Sequence, residues 1–374
     1  MVLLSKLAML ALATFSAAHP GAHETSSMTH VQKREFLTGA KRSLDQCAGH
    51  LERRGINTRM EARRAAAFEG YRKQSLQARG YNPSVNTSHH SPLHVTPGTN
   101  EHELFARNPV CILSPEGEIG PFWVKGEMLR SDIRDGQPGV PVIMDAQFVD
   151  IETCEPIQGL YWDVWSCNST GVYSGIQSDS NGNGDDASNL DKTFSRGIQK
   201  TDADGVAQFK SVFPGHYAGR ATHVHVVTHV GAHALPNNTV TGGNVAHIGQ
   251  LFFDQDLISA VEATYPYNTN DISITKNTAD RVVKTETEDT ASDPFFEYAL
   301  LGDSVQDGIF AWVTMGVNVS ASYDASYAAS LTRNGGVMNS NSNMQGPAGS
   351  NMPSPPSSSM PGPVSSNIPS SVSM

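Results

Sequence analysis

"FPGHYAGRATHVHVVTH", Phe213 to His229, brings Tyr217, Arg220, His223 and His225 within nine positions. Its second half alternates His and Val, the period-two pattern of a β-strand. On such a strand His223 and His225 project from one face, while Val224 and Val226 enter a core on the other. Residues two apart on one face are about 7 Å apart at the backbone, so their imidazoles can converge on one metal ion. His229 shares their parity but sits about 13 Å further along, out of easy reach of that ion. The pair alone also fits histidines at the surface or held by hydrogen bonds.

The strand pattern extends around this stretch. From residue 106 to residue 331, runs such as "VPVIMDAQFVD", "GLYWDVWSC", "VAQFKSVF" and "GIFAWVTMGVNVS" are β-branched, aromatic and often alternating, with Gly, Pro, Asn and Asp between them. That texture predicts a mainly β domain, an antiparallel β-sandwich with long loops. "TDADG", with Asp202 and Gly205, reads as a turn between strands. Ahead of it, residues 19–105 read as a short helical hairpin, broken at Gly55 and ending near Gly80, and then a Pro/Ser/His linker. Between Lys33 and Arg79 stand 12 Lys or Arg against 5 Asp or Glu, the pattern of a solvated basic helical face. Residues 332–374 are rich in Ser, Pro, Asn and Met, and are expected to be a disordered tail.

Residues 1–18 read as a signal peptide: Lys6, then "LAMLALATFSAA", with Ser16 and Ala18 as the small residues before cleavage. The apolar run is too short to span a bilayer, and nothing later is long enough, so no membrane partner is expected. A secreted location is expected. The net charge of −11 argues against nucleic acid as the main partner. Four cysteines in an oxidising compartment suggest two disulfides. Of three possible pairings, the short Cys154–Cys167 spacing suits a bridge across adjacent strands and leaves Cys47 with Cys111. Sequons at Asn86, Asn168, Asn237 and Asn318 are glycosylation candidates.

Tyr173, at the end of "DVWSCNSTGVYSG", lies where a strand meets a turn. A phenol has a pKa near 10, so it ligates well only to a strong Lewis acid that displaces its proton. Ferric iron suits hard oxygen ligands beside imidazole, whereas zinc or copper more often uses further His or Cys. Taken singly, each tyrosine also fits a core or rim position.

"GPFWVKGEMLRSDI", "DVWSCNSTGVYSG", "FSRGIQKTDADG" and "FPGHYAGRATHVHV" together resemble the intradiol ring-cleavage dioxygenases, most of all secreted fungal members. The resemblance covers roughly residues 106 to 320. It implies a non-haem iron(III) held inside a β-sandwich by Tyr173, Tyr217, His223 and His225, and a catechol-type substrate opened with O2 to a muconate-type product. By the same resemblance Arg220 stabilises charge developing on the substrate, Gln250 in "GQLFF" lies behind the metal ligands, and Gly120, Pro121 and Phe122 line the substrate pocket. A salt bridge for Arg220 and core packing for Phe122 are the plainer readings. Bacterial catechol enzymes carry a helical dimerisation segment at the N-terminus, which the basic hairpin here does not clearly match. Two rivals remain: a non-catalytic transthyretin-like binding module, and a copper or zinc protein built on the histidine pair. A mature N-terminus at His19 would suit a copper-dependent oxidase, but in a fold this sequence does not resemble.

Overall fold

The computed structural model describes residues 30–78, 110–111, 119–287 and 293–339. The expected signal peptide, His19, the linker after Ala78, Asn86 and the chain beyond residue 339 lie outside the described residues. No described helix is long and apolar enough to cross a membrane.

In chain order the elements are α1 (His30–Arg53), α2 (Ile56–Ala78), β1 (Val110–Cys111), β2 (Val124–Lys125), β3 (Pro141–Asp150), β4 (Tyr161–Trp165), β5 (Arg196–Lys200), β6 (Val206–Val212), β7 (His223–Val230), β8 (His233–Ala234), β9 (Val240–Thr241), β10 (Asn244–Phe252), α3 (Gln255–Glu262), α4 (Arg281–Thr287), β11 (Glu297–Leu300), β12 (Ile309–Val317), β13 (Ala329–Thr332) and β14 (Gly335–Met338). A first sheet runs β12–β3–β6, with β1 and β11 both pairing the outer edge of β12; a second runs β10–β7–β4–β5. The second sheet is wholly antiparallel. The first is mixed, because β12 lies parallel to β3 and β1 parallel to β12.

Alternation explains how the sheets stack. Val142, Met144, Ala146 and Phe148 of β3 meet Trp162, Val164, Val224 and Val226 of the second sheet in one apolar core. Trp162 anchors it, edge-on to Phe148 at 5.7 Å and to Phe209 at 5.0 Å. Every residue of β3 after Pro141 is buried, so the outer face of this sheet is covered too.

The helical hairpin covers it. Gly55 makes the break between α1 and α2 with φ +63°, a left-handed conformation that suits glycine. Ala65 and Phe68 of α2 pack on Ile143, Phe310 and Trp312. Asp145, which also points outward from β3, receives both Arg63 and Arg64; the Arg64 Nε–Asp145 Oδ1 distance is 2.9 Å. Burial alone would raise the Asp145 carboxyl, but the two arginines outweigh it and hold it below the usual range.

Three expectations need correction. The disulfide joins Cys47 of α1 to Cys154, with Cα atoms 5.3 Å apart. Cys167 is free, and its Sγ bonds the Gly215 carbonyl at 3.3 Å. The expected Cys154–Cys167 and Cys47–Cys111 pairs are therefore not formed. The extended strand β4 lies between Cys154 and Cys167 and, at about 3.3 Å per residue, holds them apart.

The ordered domain also runs past residue 331. β13 pairs with β14 antiparallel and with β2 parallel, and Gly336 N–H donates to Asp191 Oδ1 at 2.9 Å. Residues 332–339 thus belong to the domain and not to a disordered tail. Finally, the histidine face of β7 points away from the inter-sheet core. The candidate site lies on the outer face of the second sheet, under loops, and not inside the sandwich.

Candidate metal centre

Strand β7 sits between β10 and β4, with His225 opposite Gln250 on one side and Trp165 on the other, and His223 opposite Phe252. Two paired neighbours fix the direction in which both imidazoles leave the sheet. The Trp165 indole stacks on His225, 4.8 Å between centroids and 3° from parallel. His223 Nδ1–H donates to the Ala221 carbonyl at 2.6 Å, which leaves Nε2 as the lone-pair nitrogen. Burial and the Arg220 charge lower the His223 pKa to about 3, so the ring is neutral at pH 7.

Two loops cover this face and each delivers a tyrosine. Tyr173 follows β4 and Tyr217 follows β6. The loops dock backbone to backbone: Gly215 N–H donates to Asn168 O at 3.0 Å, and Asn270 Nδ2 holds His216 O at 2.8 Å. A Cβ on Gly171 would stand 2.2 Å from His216 O, and one on Gly215 2.4 Å from Ser169 O, so only glycine permits this approach. The phenol rings end 5.4 Å apart and nearly perpendicular.

Tyr173 Oη and Tyr217 Oη each lie 3.3 Å from His223 Nε2, and His225 Nε2 lies 3.1 Å from it. A neutral imidazole nitrogen offers one lone pair, so three neighbours crowd an atom that can accept from one. Atoms that share one ion at about 2 Å stand roughly 3 Å apart, so the four donors fit a common metal. Burial raises both phenols well above their usual pKa, although Arg220 opposes this at Tyr217. Such phenols stay protonated until a strong Lewis acid displaces the proton. Among the described residues no group of three or more His, Cys, Asp or Glu could hold a metal ion. Tyr173 and Tyr217 are the oxygen donors that the structure brings to His223 and His225, and phenolate oxygens suit a hard ion.

Arg220 is buried beside this cluster. Its Nε donates to Asp280 Oδ2 at 2.9 Å and its Nη2 to Gln250 Oε1 at 2.5 Å. The plain salt-bridge reading of Arg220 is thus realised. Asp280 was not legible as part of the site. Its other oxygen caps α4 by accepting from Val282 and Val283 N–H at 2.7 and 2.9 Å, and an Asp ahead of "RVVKTET" is a cap signal. Burial alone would raise Asp280, but Arg220 outweighs it and holds the carboxyl below the usual range.

Other expected residues sort clearly. Phe122 packs on the Tyr173 ring at 4.7 Å. Gly120 precedes it with φ +70°, and Pro121 is half-buried. His229 does not join the four donors; its Nε2 lies 3.2 Å from Asp163 Oδ2. Of the sequons, Asn237 is exposed. Asn168 is half-buried, and its Nδ2 is spent on Gln137 Oε1 at 2.9 Å.

Fold and site together define a β-sandwich with a two-tyrosine, two-histidine donor set on one outer face. Residues 120–304 match the family model described as Dioxygenase. Residues 120–304 are thus a domain of the intradiol ring-cleavage dioxygenases, a family of enzymes. Similar solved structures include an intradiol ring-cleavage dioxygenase from Tetranychus urticae, at 28% identity over 57% of this chain and 98% of that one, TM-score 0.48. The dioxygenase domain of a carbohydrate-binding fusion from Streptomyces sp. SirexAA-E is 21% identical over 54% of this chain and 95% of that one, TM-score 0.32. Catechol 1,2-dioxygenase from Pseudomonas arvilla C-1 is 16% identical over 56% and 66%, TM-score 0.35. No curated protein matches the chain.

Proposed function

We propose that this protein is a secreted, non-haem iron(III) dioxygenase that opens catechol-type rings between the two hydroxyl-bearing carbons, using O2 and giving muconate-type diacids. The observation that carries the reading is the crowding of Tyr173 Oη, Tyr217 Oη and His225 Nε2 around His223 Nε2. Family membership supplies the reaction class. The Cys47–Cys154 disulfide supports an oxidising compartment, in keeping with the N-terminal apolar run.

Tyr173, Tyr217, His223 and His225 would hold the ion. Iron(III), when bound, supplies the Lewis acidity that stabilises a catecholate and directs its reaction with O2. The chain's residues do the rest. A tyrosinate at Tyr217 accepts a substrate proton at Oη, in a loop anchored through His216, whose ring nitrogens donate to Glu262 Oε1 at 2.8 Å and Ile272 O at 2.7 Å. Arg220 keeps a positive charge beside the reacting oxygens and is held ready by Asp280 and Gln250, an electrostatic contribution that needs no reorganisation. Phe122 and Trp165 pack the ligand rings and keep water from them.

Oxygen uptake with a panel of catechols and hydroxyquinols, with product identification, tests this. A ring-opened diacid, formed without an added reductant, is the expected result. No uptake by iron-loaded protein on any catechol, or a product cleaved outside the diol, would overturn it.

A further inference from the structure

The Tyr173 main chain is gripped by side-chain amides from the loop that follows it. Asn181 Oδ1 accepts the Tyr173 N–H at 2.8 Å while Asn181 Nδ2 donates to the Tyr173 carbonyl at 2.8 Å. Asn189 Nδ2 donates to the same carbonyl at 2.7 Å. Both asparagines are nearly inaccessible, at 5% and 1% exposure. Each also bonds the Ile176 carbonyl, at 3.2 and 2.7 Å, so the turn after Tyr173 is tied at two points.

The next residue is tied as well. Arg196 Nε donates to Ser174 O at 2.8 Å, and Arg196 Nη1 is held by Glu127 Oε1 at 3.0 Å. Behind Asn189 the chain is braced from outside the family match. Gly336 of β14 lies so close to Leu190 that a Cβ there would stand 2.0 Å from Leu190 O.

We infer that Asn181 and Asn189 are positioning residues that clamp the main chain of Tyr173 and so hold its phenolate in place at the metal centre. A side-chain amide that satisfies both the N–H and the C=O of one residue leaves its main chain no alternative partner. The ring it carries then has little freedom beyond its own rotamer. Supporting groups of this kind typically alter metal affinity by about 10–100-fold when removed. The inference rests on the iron reading above.

Asn181→Ala and Asn189→Ala, each loaded with iron, would be compared with wild type for the visible tyrosinate-to-iron band and for the rate of iron loss to a chelator. Each variant should lose iron at least about tenfold faster and show a displaced band. Asn181→Asp, which keeps the acceptor for Tyr173 N–H and loses the donor to its carbonyl, serves if the alanine variant fails to fold. Gln147→Ala removes a comparably buried amide, bonded to Asp204 O at 3.1 Å, on the opposite sheet. It should lower the melting temperature without moving the band. In a Tyr173→Phe background, Asn181→Ala should add nothing to the rate of iron loss. A wild-type band and wild-type iron retention in both asparagine variants would overturn the clamp while leaving the iron reading intact. A wild-type protein without any tyrosinate band would remove that reading, and the clamp with it.

Discussion

The two outer faces of the sandwich both bury polar groups, and the groups are arranged in opposite ways. Under the helical hairpin, Asp145 is matched by Arg63 and Arg64 and by Gln208, whose Nε2 donates to it at 2.6 Å. Charge is neutralised and the carboxylate has its donors. Under the loops of the second sheet, four candidate donor atoms converge, and three of them crowd one imidazole lone pair. The first arrangement is complete as it stands. The second is the arrangement that the proposed metal would complete, and that separates a face suited to stability from a face proposed for chemistry.

The largest effect should come from removing a ligand on the loop face. Tyr173→Phe, His223→Ala or His225→Ala should lose most of the bound iron and, with it, turnover. Tyr217→Phe should keep much of its iron while losing turnover, since the proposed function makes its phenolate the proton acceptor. Metal analysis with oxygen uptake checks all four. Wild-type turnover by Tyr217→Phe would contradict the division of roles.

On the helical face the same kind of truncation should act on stability alone. Asp145→Ala leaves Arg64 buried and unneutralised, so unfolding should become about 3–5 kcal/mol easier, with the iron-to-protein ratio of the folded fraction unchanged. The pH dependence has a definite sign. Because the Asp145 pKa is lowered on folding, its contribution is fully present above the unfolded value near 4 and is lost as pH falls through the folded value. Wild type and Asp145→Ala should therefore converge in stability toward acid, as denaturant titrations would show.

A smaller effect belongs to the C-terminal hairpin. Ending the chain after Asn339 should leave the melting temperature unchanged. Ending it after Leu331 removes β14 and its brace on Leu190, and should cost about 1–2 kcal/mol and broaden the tyrosinate band. Equal melting temperatures for the two truncations would mean that β14 contributes nothing.

The β-domain and the four side chains that converge on its outer face were legible because their signals are local. Alternation in "HVHVVTHV" fixes which face each histidine takes, and a tyrosine at a strand end is visible from its own flanks. What escaped reading depends on partners far along the chain. Parallel pairing of β3 with β12 joins residues such as Val142 and Ile309, which no short window connects. The Cys47–Cys154 bond spans 107 residues, so the short Cys154–Cys167 spacing misled. The hairpin at Arg333 and Asn334 did leave a trace in "RNGG", a turn signal hidden by the Ser/Pro texture that follows. Asn181 and Asn189 sit in "SNGNGDDASN", which reads as loop; that their side chains face inward onto Tyr173 is a tertiary fact.

The most direct test of the difference between the two faces is metal analysis together with the visible spectrum of the purified protein after expression with adequate iron. The donor set on the second sheet predicts stoichiometric iron and a colour from tyrosinate-to-iron charge transfer that disappears on removal of the metal. A colourless protein that holds zinc, or no metal, would contradict it.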